Sequence, residues 1–129
     1  MQQLFIALNS YETGNYKLAI QQLNIIEYDK LKYNLAQYYF YFCLGKSYYN
    51  IGDVFKAVDM LKNALNAVAK DSEKYVLTLN VLHMYYFEID DKIDQSHIIF
   101  EYIRKNFKEK FMCKSCRKML LTKHFSGFA

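Results

Sequence analysis

The feature of this sequence that most constrains its fold is an internal repeat. The stretch from Gly14 to Leu23 aligns without gaps with the stretch from Gly52 to Leu61. A looser third copy follows at a similar spacing, without the turn glycine and the alanine; there Ser96, Phe100 and Ile103 stand at the positions of Ala57, Leu61 and Ala64. A repeat of this length is typical of proteins that stack similar units, because one such unit cannot bury its apolar face alone.

Each copy has the pattern of a helical hairpin. Apolar residues recur three and four positions apart on both sides of a small or polar turn, which is the spacing of one face of an α-helix. We expect Asn15 and Asp53 to cap the second helix of their hairpins, and Gly45 to let a neighbouring helix approach closely. These signals predict helices over residues 1–13, 15–29, 32–50, 53–70, 72–89 and 92–107.

The second copy resembles a known repeat family. Its small and apolar positions are similar to those of the tetratricopeptide repeat, a helix–turn–helix unit of about 34 residues; the matching residues are Leu44, Gly45, Tyr48, Gly52, Ala57, Leu61 and Ala64. The resemblance covers residues 1–107. It implies an all-α, right-handed superhelical solenoid of three hairpins, at about 1–30, 31–70 and 71–107, followed by a C-terminal capping element at 108–129.

The same resemblance implies a binding surface. The first helix of each hairpin would line a concave groove suited to a peptide or helix of a partner protein. The groove positions are Leu4, Leu8, Tyr11, Tyr39, Phe42, Lys46, Tyr49, Asn50, Val81, Tyr85 and Glu88. An aromatic stripe is also typical of a core, and on that ground we expect Tyr38, Phe40 and Tyr41 to be packing residues. A clamp for acidic chaperone tails is disfavoured, because Leu8 and Cys43 stand where that clamp has Lys and Asn.

Composition limits the remaining possibilities. With 129 residues, 53% hydrophobic residues, no proline and four glycines, the chain suits one core and lacks the composition of a disordered or multidomain protein. Three cysteines without a secretory signal pattern favour a reducing, cytoplasmic location. No apolar run is long enough to span a membrane. The lack of a polar capping helix before Met1 and the abrupt end at Ala129 lead us to expect a piece of a longer protein.

The C-terminal segment differs from the rest in charge. Residues 1–103 carry nine Lys or Arg and twelve Asp or Glu, whereas residues 104–129 carry eight and one. Clustered positive charge can bind phosphates, but the tail offers only Phe111, Phe125 and Phe128 for stacking on bases. We therefore disfavour a nucleic-acid partner and interpret the charges as a solvated helix face.

The tail also contains a Cys-x-x-Cys motif, formed by Cys113 and Cys116. These thiolates could hold part of a tetrahedral zinc site, with His124 as a third ligand and no fourth in the chain. One interpretation is an interrupted zinc ribbon, similar to the rubredoxin-like ribbons of bacterial tetratricopeptide proteins such as lipopolysaccharide assembly protein B. A second is a zinc bridge between two chains. The third, which we favour, is a metal-free amphipathic capping helix with Phe111, Met112, Cys116, Met119 and Leu120 on its apolar side.

The rest of the chain contains no catalytic constellation. Cys43 lies in an apolar run, His83 and His97 have no partner at triad or ligand spacing, and Asp90 and Asp91 suit a helix start. We expect no enzyme, and no cofactor unless ligands from elsewhere complete a zinc site. The favoured function is a protein-interaction module. The alternatives are a zinc-containing regulatory adaptor and a peptide-sensing regulator of the same repeat family.

Overall fold

The computed structural model describes residues 2–107, and over that range the chain is all-α, as expected. The described residues contain no strand, and short 3-10 turns lie at Tyr28–Lys30 and Asp90–Lys92. The helices are α1 (Gln2–Glu12), α2 (Tyr16–Ile25), α3 (Asn34–Asn50), α4 (Val54–Leu65), α5 (Glu73–Phe87) and α6 (Ile93–Asn106). Over residues 2–107, none of these helices is both long and apolar enough to cross a membrane.

The chain divides into two compact units, Met1–Ala69 and Lys70–Ala129. In the first unit α1 packs against α2, α2 against α3, and α3 against α4. In the described part of the second unit α5 packs against α6. Within each unit, helices that are adjacent in sequence therefore pack against each other, which is the contact pattern of helical hairpins.

The two glycine turns of the first unit close in the same way. Gly14 and Gly52 have φ angles of +83° and +96°, a left-handed conformation that is costly for a residue with a Cβ. At each turn the glycine N–H donates to the carbonyl three positions earlier and the next N–H donates to the carbonyl five positions earlier, at 2.8 to 3.0 Å. This pair of bonds is the Schellman C-cap. The sequence repeat of the first two copies is thus also a repeat of backbone structure.

The residues after these glycines behave differently as helix caps. The Asp53 carboxylate accepts a hydrogen bond from the Lys56 backbone N–H at 3.1 Å, so the predicted cap of α4 is confirmed. Asn15 makes no side-chain cap bond to α2, so that prediction was wrong. A carboxylate is attracted to the positive end of a helix more strongly than a neutral amide is. An unpredicted cap starts α5, where the Ser72 hydroxyl accepts from the Tyr75 N–H at 3.2 Å.

The core of the first unit is built by all four of its helices. One apolar cluster joins Leu4, Ala7, Ile20, Leu23, Leu31, Ala36, Phe40, Cys43 and Leu44, with the half-buried Met60 of α4 against it. A second, smaller cluster joins Tyr38 to Ala64 and Ala67. Tyr38 and Phe40 are buried and Tyr41 packs against both clusters, so the prediction that these three are packing residues is confirmed.

One helix-crossing position recurs along the chain. Ala7, Gly45 and His83 are evenly spaced in the sequence, and all three are buried. In the first unit Gly45 lies against Ala57 and Leu61 of α4, which confirms its predicted role in close packing. In the second unit His83 meets α6 at the repeat-equivalent positions, Ser96 and Phe100. The third copy therefore keeps the crossing but fills it with larger and more polar residues.

Two helices, α2 and α4, end four or five residues earlier than predicted. α2 ends at Ile25 and not at residue 29, because Ile26 turns to an extended conformation and leads into the 3-10 turn. This break lets Ile26, Tyr28 and Leu31 pack against the main cluster. α4 ends at Leu65 and not at residue 70, where the N–H groups of Asn66 and Ala67 bond carbonyls three positions back. Both ends gain burial that a longer helix would forgo.

Candidate functional site

The candidate site lies on one side of α3. Tyr39, Phe42, Lys46 and Tyr49 follow one another three or four positions apart, which places them on the same side of the helix. All four are half-buried, and we call them the aromatic face. Asn50 is exposed at its end, and its side-chain amide donates to the Lys46 carbonyl at 2.7 Å. The structure thus brings together the five α3 residues that were predicted from the sequence.

The aromatic face rests on a buried ring. Tyr38 is 1% exposed, and its ring is stacked on Phe42 with centroids 5.4 Å apart. Tyr39 meets the same ring edge to face, also at 5.4 Å. Because Tyr38 is held by Ala64 and Ala67, the two half-buried rings have a fixed support. Such a support reduces the entropy that the rings would lose when a ligand covers them.

Tyr11 of α1 lies close to the same part of α3. It is half-buried, packs against the main cluster and contacts the ring of Tyr16 at 6.0 Å. Burial raises the pKa of Tyr11 to about 12, and its proximity to Cys43 is the next largest cause. Tyr38 raises this pKa as well. Tyr11, one of the three α1 residues predicted for the groove, is therefore a neighbour of α3.

The charges near this surface are few. Glu12 raises and Lys46 lowers the pKa of the Cys43 thiol, so both charged groups lie within electrostatic range of it. Within residues 2–107, no carboxylate forms an ion pair with Lys46. The Lys46 ammonium is thus able to bind a ligand carbonyl or carboxylate.

Other predicted groove residues lie elsewhere. Leu4 is 3% exposed and belongs to the main cluster, so its interpretation as a ligand-facing residue is corrected to a core residue. Tyr85 is 5% exposed, and its ring is likewise too buried to offer a contact surface. Val81 is half-buried and Glu88 is exposed, but both belong to the second unit. A helical period identifies one side of α5 without saying which side is covered.

The cysteines fall into two groups. Cys43 is 3% exposed within the main cluster, and burial raises the pKa of its thiol to about 12, which suits the predicted role as a small apolar residue. Cys113 and Cys116, with His124, lie outside the described residues. Within residues 2–107 there is no cluster of three or more metal-ligating side chains.

A buried polar pair in the second unit was not predicted from the sequence. The Ser96 hydroxyl donates to the His83 carbonyl at 2.7 Å, and its oxygen lies 3.4 Å from His83 Nδ1. His83 is 0% exposed, and burial, followed by the proximity of His97, lowers its pKa to about 4. The signal was present in the repeat, because Ser96 replaces Ala57 opposite the position where His83 replaces Gly45. This pair is a structural feature of the α5–α6 crossing.

No protein-family model matches the chain, and the searches of curated proteins and of solved structures gave no significant match either.

Proposed function

We propose that this chain is a protein-interaction module, a tetratricopeptide-like solenoid whose α3 surface binds a peptide or helix of a partner protein. The observation that carries the proposal is the aromatic face, in which Tyr39, Phe42, Lys46 and Tyr49 follow one another along one side of α3. Large rings of this kind are common anchors of protein interfaces. Tyr11 extends the surface onto α1.

The chemistry of this surface favours a peptide over a small metabolite. Tyrosine and phenylalanine rings provide wide, stiff contact areas at a low entropic cost, and they accept many apolar side chains. Lys46 supplies one positive charge among them, which suits a backbone carbonyl or a single carboxylate. The ligand class we propose is therefore a short segment with apolar or aromatic anchors and one acceptor group.

The repeat supports the solenoid part of the proposal. The Schellman turns at Gly14 and Gly52 have the same bonds, and the buried residues Ala7, Gly45 and His83 recur at a constant spacing. Repeated hairpins with equivalent crossings are what a solenoid requires.

A peptide-display selection tests the function. The full chain is used to select from a random peptide library, and the affinity of an enriched peptide is measured by fluorescence anisotropy. We expect Phe42→Ala and Lys46→Glu each to weaken binding by about tenfold or more. Phe55→Ala is the matched control, because Phe55 is an exposed ring on α4 that lies outside the aromatic face.

Two results would contradict the proposal. One is that the folded chain enriches no peptide above the background obtained with the chain unfolded in urea. The other is that a selected peptide binds the Phe42 and Lys46 variants as tightly as the original chain. Lys46→Glu changes a charge at the surface and leaves the core intact, so it separates loss of binding from loss of folding.

A further inference from the structure

An exposed apolar surface lies on the α1–α2 hairpin, away from the aromatic face. Phe5 is 65% exposed, Ile6 50% and Ile25 70%. Gln3, Ile6, Gln22 and Ile25 line a cavity of about 170 Å³ between the two helices. We call Gln3, Phe5, Ile6, Gln22 and Ile25 the end face. Ile6 and Ile25 line the same cavity, so their exposed apolar surfaces adjoin, and adjoining apolar surface is typical of an interaction site.

The repeat shows what this surface is built for. Alignment of the first two copies places Phe5, Ile6 and Gln22 at the positions of Cys43, Leu44 and Met60. Cys43 and Leu44, each only 3% exposed, belong to the cluster in which the second hairpin meets α1 and α2, and Met60 packs against that cluster. The second hairpin thus stacks on the first through positions that the first hairpin leaves exposed. The end face continues an interface that already exists within the unit.

The composition of the end face decides between possible occupants. None of its five residues is ionisable. In a two-fold interface each group lies close to its own copy, so an uncharged surface avoids like-charge repulsion. The Gln22 side-chain oxygen already accepts from the Ser10 hydroxyl at 2.7 Å, so its NH2 group is left to donate, and the exposed Gln3 amide can both donate and accept. The side of the first hairpin around Leu23 packs against the second hairpin. This side is already covered by α3, so it cannot bind the end face of a second chain.

We propose that the end face is a self-association surface, through which two copies of this chain form a two-fold symmetric dimer. The apolar side chains Phe5, Ile6 and Ile25 would bury against their counterparts, and the Gln22 NH2 group would donate to the Gln3 amide oxygen of the other copy. The aromatic face lies on different residues, so each copy would keep its own peptide-binding surface. The dimer is independent of the proposed function and is tested separately.

Sedimentation equilibrium of the full chain over a range of concentrations tests this proposal, in a buffer with EDTA to exclude a metal bridge through Cys113 and Cys116. We expect twice the 15.4 kDa chain mass, dissociating on dilution. Phe5→Lys and Ile6→Lys should each raise the dissociation constant by about tenfold or more. Phe55→Lys is the matched control, because Phe5 and Phe55 are both helical and both 65% exposed.

Three results would overturn the proposal. A monomer at every concentration would do so, and would assign the end face to a helix of a different protein. A dimer that both end-face substitutions leave intact would place self-association elsewhere. An equal rise in the dimer dissociation constant for Phe5→Lys and Phe55→Lys would indicate that the chains associate by non-specific apolar contact. Circular dichroism of each variant establishes that it is folded, and Ile6→Lys gives a second reading if Phe5→Lys is not.

Discussion

A Cβ atom added to Gly45 would lie 2.9 Å from Cδ2 and 3.0 Å from Cγ of Leu61, inside the distance that two carbon atoms tolerate. Leu61 is 0% exposed and cannot swing away, and the Ala57 carbonyl oxygen is a further 3.2 Å neighbour of the same Cβ. The contact between α3 and α4 therefore depends on the absence of a side chain at residue 45.

Gly45→Ala should destabilise the protein by about 1–2 kcal/mol, since an overpacking cost of about 1–3 kcal/mol exceeds the gain of up to about 1 kcal/mol in helix propensity. Urea unfolding followed by circular dichroism measures the change. In a Leu61→Ala background the same substitution should cost much less, because the two closest atoms are gone and only the 3.2 Å contact with the Ala57 carbonyl oxygen remains. An equal cost in both backgrounds would disprove the contact.

The two helix caps provide a matched pair. Asp53→Ala should lower the free energy of unfolding by about 1 kcal/mol, because it removes the bond to the Lys56 N–H and a negative charge at the start of α4. Asn15→Ala, at the equivalent residue of the first copy, should change it by less than about 0.5 kcal/mol, because no cap bond is lost. The prediction fails if both variants lose the same stability in urea.

Features that depend on local spacing were the ones that could be predicted from the sequence. The helices, Gly45 at the crossing and Asp53 at the cap follow from periodicity and residue type. The early end of α2 did not, because Ile26 and Tyr28 leave the helix to reach a cluster formed by residues far along the chain. Tertiary burial decided that boundary, and no local signal reports it.

The stability of the second unit should depend on pH through His83. Burial lowers the folded-state pKa of this histidine from 6.5 to about 4, with His97 as the next cause. The unfolded chain therefore binds more protons between these pH values, so stability is full above about pH 6.5 and falls as the pH falls towards 4. We expect a loss of about 2 kcal/mol between pH 7 and pH 5.

Urea unfolding at both pH values measures that loss, and His83→Gln removes the titrating group. The variant should be less stable at pH 7, since the contacts with Ser96 and Phe100 are altered, but its stability should change much less with pH. His97→Gln is the control, because His97 is only half-buried and should leave most of the pH dependence in place. A pH dependence that is unchanged in His83→Gln would refute the assignment.

Cys43 should be chemically inert in the folded protein. Because its pKa is raised to about 12 and its side chain is 3% exposed, the reactive thiolate is scarce and shielded. Labelling with N-ethylmaleimide at pH 8, read by mass spectrometry of the Cys43 peptide, should be about 1,000-fold slower than in urea. Comparable rates in the two conditions would show that Cys43 is accessible.

The candidate site was predictable to the extent that it lies on one helix. Tyr39, Phe42, Lys46 and Tyr49 share a side of α3 because of their spacing alone. Tyr85 was predicted from the same helical spacing on α5, but it is buried. Periodicity identifies one side of a helix and does not reveal which side a neighbouring helix covers. The polar pair of His83 and Ser96 was missed, because its prediction required an alignment of all three copies at the crossing position.

Amide chemical-shift mapping of the full chain with a display-selected peptide locates the peptide-binding surface directly. We predict that the largest shifts lie on α3, around the aromatic face, and on Tyr11 of α1. Matched titration of Lys46→Glu should show the same shifts only at about tenfold or higher peptide concentration. If the largest shifts lie on the end face or on α6 and α3 is unchanged, the result would contradict peptide binding at the aromatic face.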